Sequence, residues 1–294
     1  GNARPESDPH GELTGKNTLY RAVDDATLAA ALGMTEEAVS AALASHRRTL
    51  FEARNRRPRP HLDDKIITAW NGLMISAFAR ATHPLREPAC LTAAENAARF
   101  LRTHLWKEGR LYRSHRGTTG TAPGFADDYA FLIQGLIDLY EAGGHEEWLE
   151  WAETLQQMQD TLFLDPVHGG YYSTAKDAPS VLLRIREEHD GAEPTPSSVA
   201  ALNLLRLGRL LGDESLTRRG HETLRAFAEP LSRAPIALPQ LLVALSFAHG
   251  TPEELVLAGS AGATLPFRQT AGRHFRPDLV QLHTDGSPRL ARRL

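Results

Sequence analysis

The 294 residues carry a formal net charge of −3 and a pI near 6.5, which leaves no basic field for nucleic acid. A single cysteine, Cys90, excludes an internal disulfide and any CxxC redox or zinc motif, and no apolar run reaches the ~20 residues of a membrane-spanning helix. No signal peptide is visible, but the first residue is Gly1, not Met, as in a piece of a longer protein, so missing targeting signals carry little weight; the cytoplasm is the expected compartment.

Residues 1–16 are polar with Pro and Gly and read as an arm; 17–22 read as a short extended segment and 27–32 as a short helix. Thr35 followed by Glu36 and Glu37 opens a helix with an acidic first turn, and that helix runs to about Arg56. Its basic end (Arg47, Arg48, Arg54, Arg56 and Arg57) reads as a solvated terminus favoured by the helix dipole. Pro58 and Pro60 stop it. This gives an arm and loop over 1–34, a helical domain over 35–250 and an extension over 251–294.

Asp63 and Asp64 then stand where a helix N-terminus attracts negative charge. Ile66, Ile67, Trp70, Leu73, Met74, Ala77 and Phe78 recur at three- and four-residue steps, the period expected of a buried helix face. Asn71 falls within that face, and a buried amide without partners costs about 1–3 kcal/mol. The next helix, 88–105, contains Cys90, read as a small core residue rather than a nucleophile.

A repeat follows. NGLMISAFARA (71–81), QGLIDLYEAGG (134–144) and NLLRLGRLLGD (203–213) recur at roughly 60–70 residues, the length of a two-helix unit with an elaborated connection. Each is followed by a one-faced amphipathic helix, over 88–105, 145–162 and 214–228. The segment 129–140 is instead apolar nearly all round. All-round apolar helices belong inside and one-faced helices outside, which predicts an all-α toroid of helical hairpins with about eight helices. The connections at Trp106–Tyr112 and Phe163–Tyr172 each run aromatic, turn, glycine, tyrosine and read as β-hairpins. Beyond Gly250 the helical pattern fades; 255–258 and 279–282 read as short strands, and the last five residues as a frayed tail.

Three polar clusters precede the inner helices: Asp63 and Asp64; Asp127, Asp128 and Tyr129; and the run EEHDGAE, with His189, Asp190 and Glu193. In a hairpin toroid these sit on one rim. Carboxylates there suit general acid–base chemistry and an imidazole suits proton shuttling, which makes Asp64, Asp127, Asp128, His189, Asp190 and Glu193 the candidate catalytic residues. Asp63, Trp70, Asn71, Tyr129 and Tyr172 are the candidate ligand contacts, with the aromatics stacking on sugar rings. The structural alternative is that the acids are ordinary helix caps and that Trp70 and Tyr129 are core. His61, His115 and His168 sit in loops and carry less weight. No HxxxH or comparable spacing points to a metal, no phosphate loop or G-x-S-x-G elbow is present, and no cofactor is expected.

DDKIITAWNGLMISAFARA, ADDYAFLIQGLIDLYEA and GGYYSTAKDAPSVLLRIREEHDGAEPTPSSVAALNLLRL together resemble the YyaL/spermatogenesis-associated protein 20 family, also called the DUF255 or thioredoxin-domain-containing family. The resemblance implies an N-terminal thioredoxin-like domain, absent from this chain, followed by an (α/α)-barrel similar to six-hairpin glycosidases and N-acylglucosamine 2-epimerases. With about eight helices against the twelve of a closed six-hairpin barrel, the toroid would be open. The chain departs from the family after DGAEP: Thr195-Pro196-Ser197-Ser198 replaces Ser-Gly-Asn-Ser, which removes an Asn from a cavity-lining position. Two functions follow from the resemblance and the rim. One is carbohydrate processing, by hydrolysis or epimerisation; the other is a non-catalytic module that binds a carbohydrate or a protein and positions the thioredoxin-like domain.

Overall fold

The computed structural model describes residues 19–120, 122–178 and 181–284; the expected arm over 1–16 and the last five residues lie outside the described residues. The chain divides into two compact units between Asp63 and Asp64. The first contains α1 (Asp25–Leu32) and α2 (Glu36–Asn55). Asp24 accepts from the Thr27 amide at 2.8 Å and the Thr35 hydroxyl from the Ala38 amide at 3.3 Å, so both helices start on the cap their sequence provides.

The second unit runs β1 (Ile66–Ile67), α3 (Thr68–Leu85), α4 (Pro88–His104), β2 (Trp106–Lys107), β3 (Arg110–Leu111), β4 (Ser114–Arg116), β5 (Thr118–Thr119), α5 (Ala126–Gly143), α6 (Glu146–Phe163), α7 (Pro196–Leu211), α8 (Glu214–Ala226), α9 (Ala228–Arg233), α10 (Pro239–His249), β6 (Glu253–Ala258), α11 (Ala261–Ala271) and β7 (Leu279–Thr284). Three hairpins, α3/α4, α5/α6 and α7/α8, follow one another as an (α/α)-toroid arc. Their inner helices α3, α5 and α7 pack side by side, and α10 packs on α7. The apolar helix predicted to lie inside does so: α5 is buried along nearly its whole length, from Asp128 to Gly143 with only Gln134 half-exposed. Trp148, Leu149, Trp151, Ala152 and Leu155 on one face of α6 cover it.

The described residues hold eleven α-helices, three more than the periodicity predicts. The additional ones are α9, α10 and α11. The last interrupts the expected pair of strands and carries Pro266 inside it, a residue that argues against a helix from sequence. β6 and β7 pair in parallel, Glu253 opposite Leu279 through Ala258 opposite Thr284, and α11 is the crossover that a parallel pair requires. This βαβ unit closes the C-terminal end of α5. The Ala142 carbonyl accepts from Arg268 at 2.8 Å and bonds His83 Nε2 at 2.9 Å, while His283 Nε2 bonds the Glu141 carbonyl at 2.8 Å. Helix-end carbonyls that would otherwise be buried without partners are thereby satisfied. Burial holds the pKa of both histidines down, His283 to about 4.

Two expectations for α3 are overturned. Its buried face is Thr68, Ala69, Gly72, Ile75, Ser76, Ala79, Thr82 and His83, whereas Trp70, Met74 and Phe78 are 54%, 50% and 38% exposed. The reason is Gly72. An added Cβ there would lie 2.6 Å from the Leu132 nitrogen, and one on Gly135 would lie 2.6 Å from the Gly72 oxygen. The helices therefore cross backbone to backbone through the small residues, and the larger apolar ones are turned outward. Nor do Asp63 and Asp64 cap the helix: α3 begins at Thr68, after the strand Ile66–Ile67, and its N-cap residue Ile67 offers no side-chain acceptor. Gly72→Ala or Gly135→Ala is expected to lower stability by about 1–3 kcal/mol, the cost of overpacking. Urea denaturation followed by far-UV circular dichroism would measure the loss, and an unchanged midpoint for both would contradict the close crossing.

Candidate functional site

The starts of α3, α5, α7 and α10 are linked by side chains into one rim. Asp128 is the central link and is fully buried. One carboxylate oxygen accepts from the Ala69 amide at 3.0 Å. The other accepts from the Phe125 amide at 2.9 Å and from Arg113 at 3.0 Å. Thus Asp128, the third residue of its own helix, reaches back as half of a capping box and also caps α3, which lacks a cap of its own. Burial first, and then the neighbouring Asp127 charge, push its pKa up against the opposing pull of Arg113 and the two amides. Arg113 also pairs with Asp127 at 3.1 Å and lies over the Phe125 ring, 4.9 Å from its centroid. It is placed by the backbone that leads to β4, where Thr68 donates to the Arg113 carbonyl at 2.9 Å.

Asp190 links the other pair of helices. Its oxygens accept from the Thr195 amide at 2.7 Å and the Gln240 amide at 2.9 Å, so one buried carboxylate serves the starts of α7 and α10. Thr195 caps α7 itself, its hydroxyl accepting from the Ser198 amide at 3.2 Å. Ser197 accepts from the Tyr171 amide at 2.9 Å. It is buried against the α6–α7 connection.

The accessible chemistry lies beside these buried links. The Trp70 indole Nε1 donates to Glu193 Oε1, joining the exposed start of α3 to the segment before α7. Glu193 is half-buried. Asp64 is exposed in an ion pair with Arg116, and Asp127 keeps 20% of its side-chain surface open. His189 is exposed. Asn71 is half-buried and donates to the Ile67 carbonyl at 2.8 Å within its own helix.

Other candidates stand apart. Tyr129 is fully buried, its hydroxyl accepting from the Leu111 amide at 3.0 Å. The Tyr172 hydroxyl donates to Asp165 at 2.9 Å, with Arg184 over its ring at 4.1 Å. Asp63 is the last residue of the first unit.

The polar residues that sequence reasoning missed lie at the opposite end of the inner helices. Arg206 pairs with Asp138 at 2.7 Å and Glu141 at 3.0 Å, and Asp138 also accepts from the Ser76 hydroxyl. Asp138, Glu141 and Arg206 are all buried. Two acids three residues apart, Asp138 and Glu141, in the apolar stretch of α5 that follows Gln134 are the available signal.

No family model matches the chain. It is 40% identical to spermatogenesis-associated protein 20 of Homo sapiens over 98% of its own length and 38% of that protein, with the same figures for the Mus musculus protein. An uncharacterized protein of Caenorhabditis elegans is 38% identical over 83% of this chain and 34% of its own. The chain therefore spans well under half the length of these relatives. Among solved structures, cellobiose 2-epimerase from Bacillus thermoamylovorans is 20% identical with a TM-score of 0.49, covering 58% of this chain and 46% of its own. Unsaturated glucuronyl hydrolase from Bacillus sp. GL1 is 17% identical with a TM-score of 0.45, covering 58% and 49%.

Proposed function

We propose, for a chain that belongs to the family of spermatogenesis-associated protein 20 and spans 38% of that protein's length, that the rim at the starts of α3, α5 and α7 binds carbohydrate and processes it by hydrolysis or epimerisation. The observation that carries this reading is Trp70: a large aromatic that is 54% exposed and fixed in place by Glu193. An indole held at its polar edge presents a rigid apolar face of the kind that sugar rings stack on, at little entropic cost. Glu193 is then the carboxylate nearest a bound ring, with Asp127 and Asp64 as the remaining accessible acids for proton transfer. His189 is an exposed imidazole in the same segment and would serve as the shuttle.

One observation favours a second reading, a binding module without turnover. Asp128 and Asp190, the two buried rim acids, have both oxygens occupied by helix-start donors and are not free to exchange protons with a ligand. In that reading the rim holds a sugar or a protein, and the thioredoxin-like domain implied by the family resemblance lies in the part of the relatives that this chain does not match.

A titration with mono- and disaccharides, followed by tryptophan fluorescence and thermal shift, tests both. Saturating ligand at 100 times Kd adds about 2.7 kcal/mol of stability. Trp70→Ala is expected to weaken binding at least tenfold, about 1.4 kcal/mol, with little change in the melting temperature of the free chain. Glu193→Gln is expected to abolish turnover. Product formation by the wild type supports processing, binding without product supports the module, and no binding of any sugar would overturn both carbohydrate readings.

A further inference from the structure

At the end of the inner helices opposite the rim, α3, α5, α7 and α10 together with the segment 271–281 line an open cavity of about 440 Å³, within the range of small-molecule sites. We propose that this cavity is a second binding site, separate from the rim, and that its ligand is a small hydroxylated anion: a sugar-like body bearing a phosphate or carboxylate group.

Three observations carry the assignment. First, the cavity wall holds the pair of Arg206 with Asp138 and Glu141. Burying such charges costs several kcal/mol per ion unless every oxygen and proton is satisfied. Here one is left short: Glu141 Oε1 is buried and makes no well-formed hydrogen bond, the Gln281 backbone amide being the nearby donor to this carboxyl. Gln281 Oε1, on β7, is also buried without a hydrogen-bond partner. Both atoms belong to residues that line this one cavity, and buried acceptors left short of partners call for a ligand that brings donors.

Second, these donors are hydroxyls rather than an ammonium group. Arg206 already supplies a positive charge to the two acids, and burial raises the Glu141 pKa to about 7. Near neutral pH the wall therefore carries little net negative charge to attract a cation.

Third, the mouth is cationic. Arg80 on α3 and Arg273 after α11 line the cavity and are exposed. Neither makes a side-chain hydrogen bond or ion pair among the described residues, whereas Arg276 beside them is paired with Glu253. A guanidinium without a protein partner at the edge of a cavity matches phosphate or carboxylate, which it can bind in bidentate fashion. Depth and mouth together thus ask for hydroxyls inward and an anionic group outward.

The test is isothermal titration of the whole chain with glucose 6-phosphate and with glucuronate, using glucose as the neutral comparison and inorganic phosphate as the headgroup alone. At least one sugar anion is expected to bind tenfold or more tightly than glucose and than inorganic phosphate, and the two arms tell phosphate from carboxylate. Arg80→Ala with Arg273→Ala, both exposed and so harmless to folding, is expected to reduce that ligand to the affinity of glucose. Glu141→Gln is expected to weaken it as well, by a smaller factor. The Trp70→Ala variant, which removes the proposed sugar platform on the rim, is expected to leave the anion affinity unchanged, so loss of one site does not imply loss of the other. The proposal is overturned if neither sugar anion binds better than glucose, if the double arginine variant binds as tightly as wild type, or if inorganic phosphate binds as well as its sugar ester.

Discussion

Asp128→Ala is expected to cost about 3–5 kcal/mol of stability, the range for breaking a buried charged pair. The reason is the number of donors left behind. The Ala69 and Phe125 amides lose their acceptor outright, and each buried donor left unsatisfied costs about 1–3 kcal/mol before any relaxation, while Arg113 loses one of its two carboxylates and keeps Asp127. For a unit of this size the loss corresponds to roughly 10 °C in melting temperature, measurable by calorimetry.

The conservative change separates cap from charge. Asn at 128 retains one acceptor oxygen and turns an amide NH2 towards donors, so Asp128→Asn is expected to lose about half as much. The pH dependence has a definite sign. Because the folded-state pKa is raised, the contribution of Asp128 is fully present below the unfolded-state value near 3.8 and is lost as pH rises through the higher folded value. Across that interval the stability difference between wild type and Asp128→Asn should shrink as pH rises. A difference that grew with pH would mean that Arg113 outweighs burial.

The contrast between Asp128 and Trp70 shows what a sequence can convey about such a rim. The order of inner and outer helices was legible because α5 is apolar on every side while α6 is apolar on one, and burial follows that distinction directly. The gathering of acids ahead of α5 and α7 was legible for a related reason, that acids favour helix starts whatever their further role; Asp63 and Asp64, which precede a strand and do not cap α3, show the limit of that rule. The roles of those acids were not legible. Asp127 and Asp128 are adjacent and chemically identical, yet one is partly open and the other sealed, because the helical turn aims only the second at the α3 backbone.

The buried face of α3 is not legible, for the opposite reason. Periodicity identifies an apolar stripe but not whether it is packed, and the contact was decided by Gly72 and Gly135, whose missing side chains let two backbones meet. Likewise, the pairing of Arg206 with Asp138 and Glu141 joins residues 68 apart in the former case, and one sequence without covariation carries no trace of that distance.

Arg206→Ala is expected to be as damaging as the loss of Asp128, about 3–5 kcal/mol, and to differ from it in its pH profile. Arg206 is the cation that opposes the burial of both Asp138 and Glu141. In the wild type, burial raises Glu141 to about 7 while Arg206 pulls it down. Removing the guanidinium takes away that pull, so the Glu141 pKa rises further. A raised carboxyl pKa contributes stability below its unfolded value, near 4.5, that is lost as pH rises through the folded value. The variant should therefore fall further below wild type at pH 8 than at pH 5, in contrast to the behaviour expected of Asp128→Asn. Chemical denaturation at the two pH values would show it, and a deficit independent of pH would mean that Arg206 acts by packing alone. Replacing all three groups together, with Asp138→Leu, Glu141→Leu and Arg206→Met, is expected to recover most of the lost stability, because an apolar set of similar volume escapes the desolvation cost that the pair only partly offsets. Recovery of stability together with loss of sugar-anion binding would show that the charges are retained for the ligand and not for the fold.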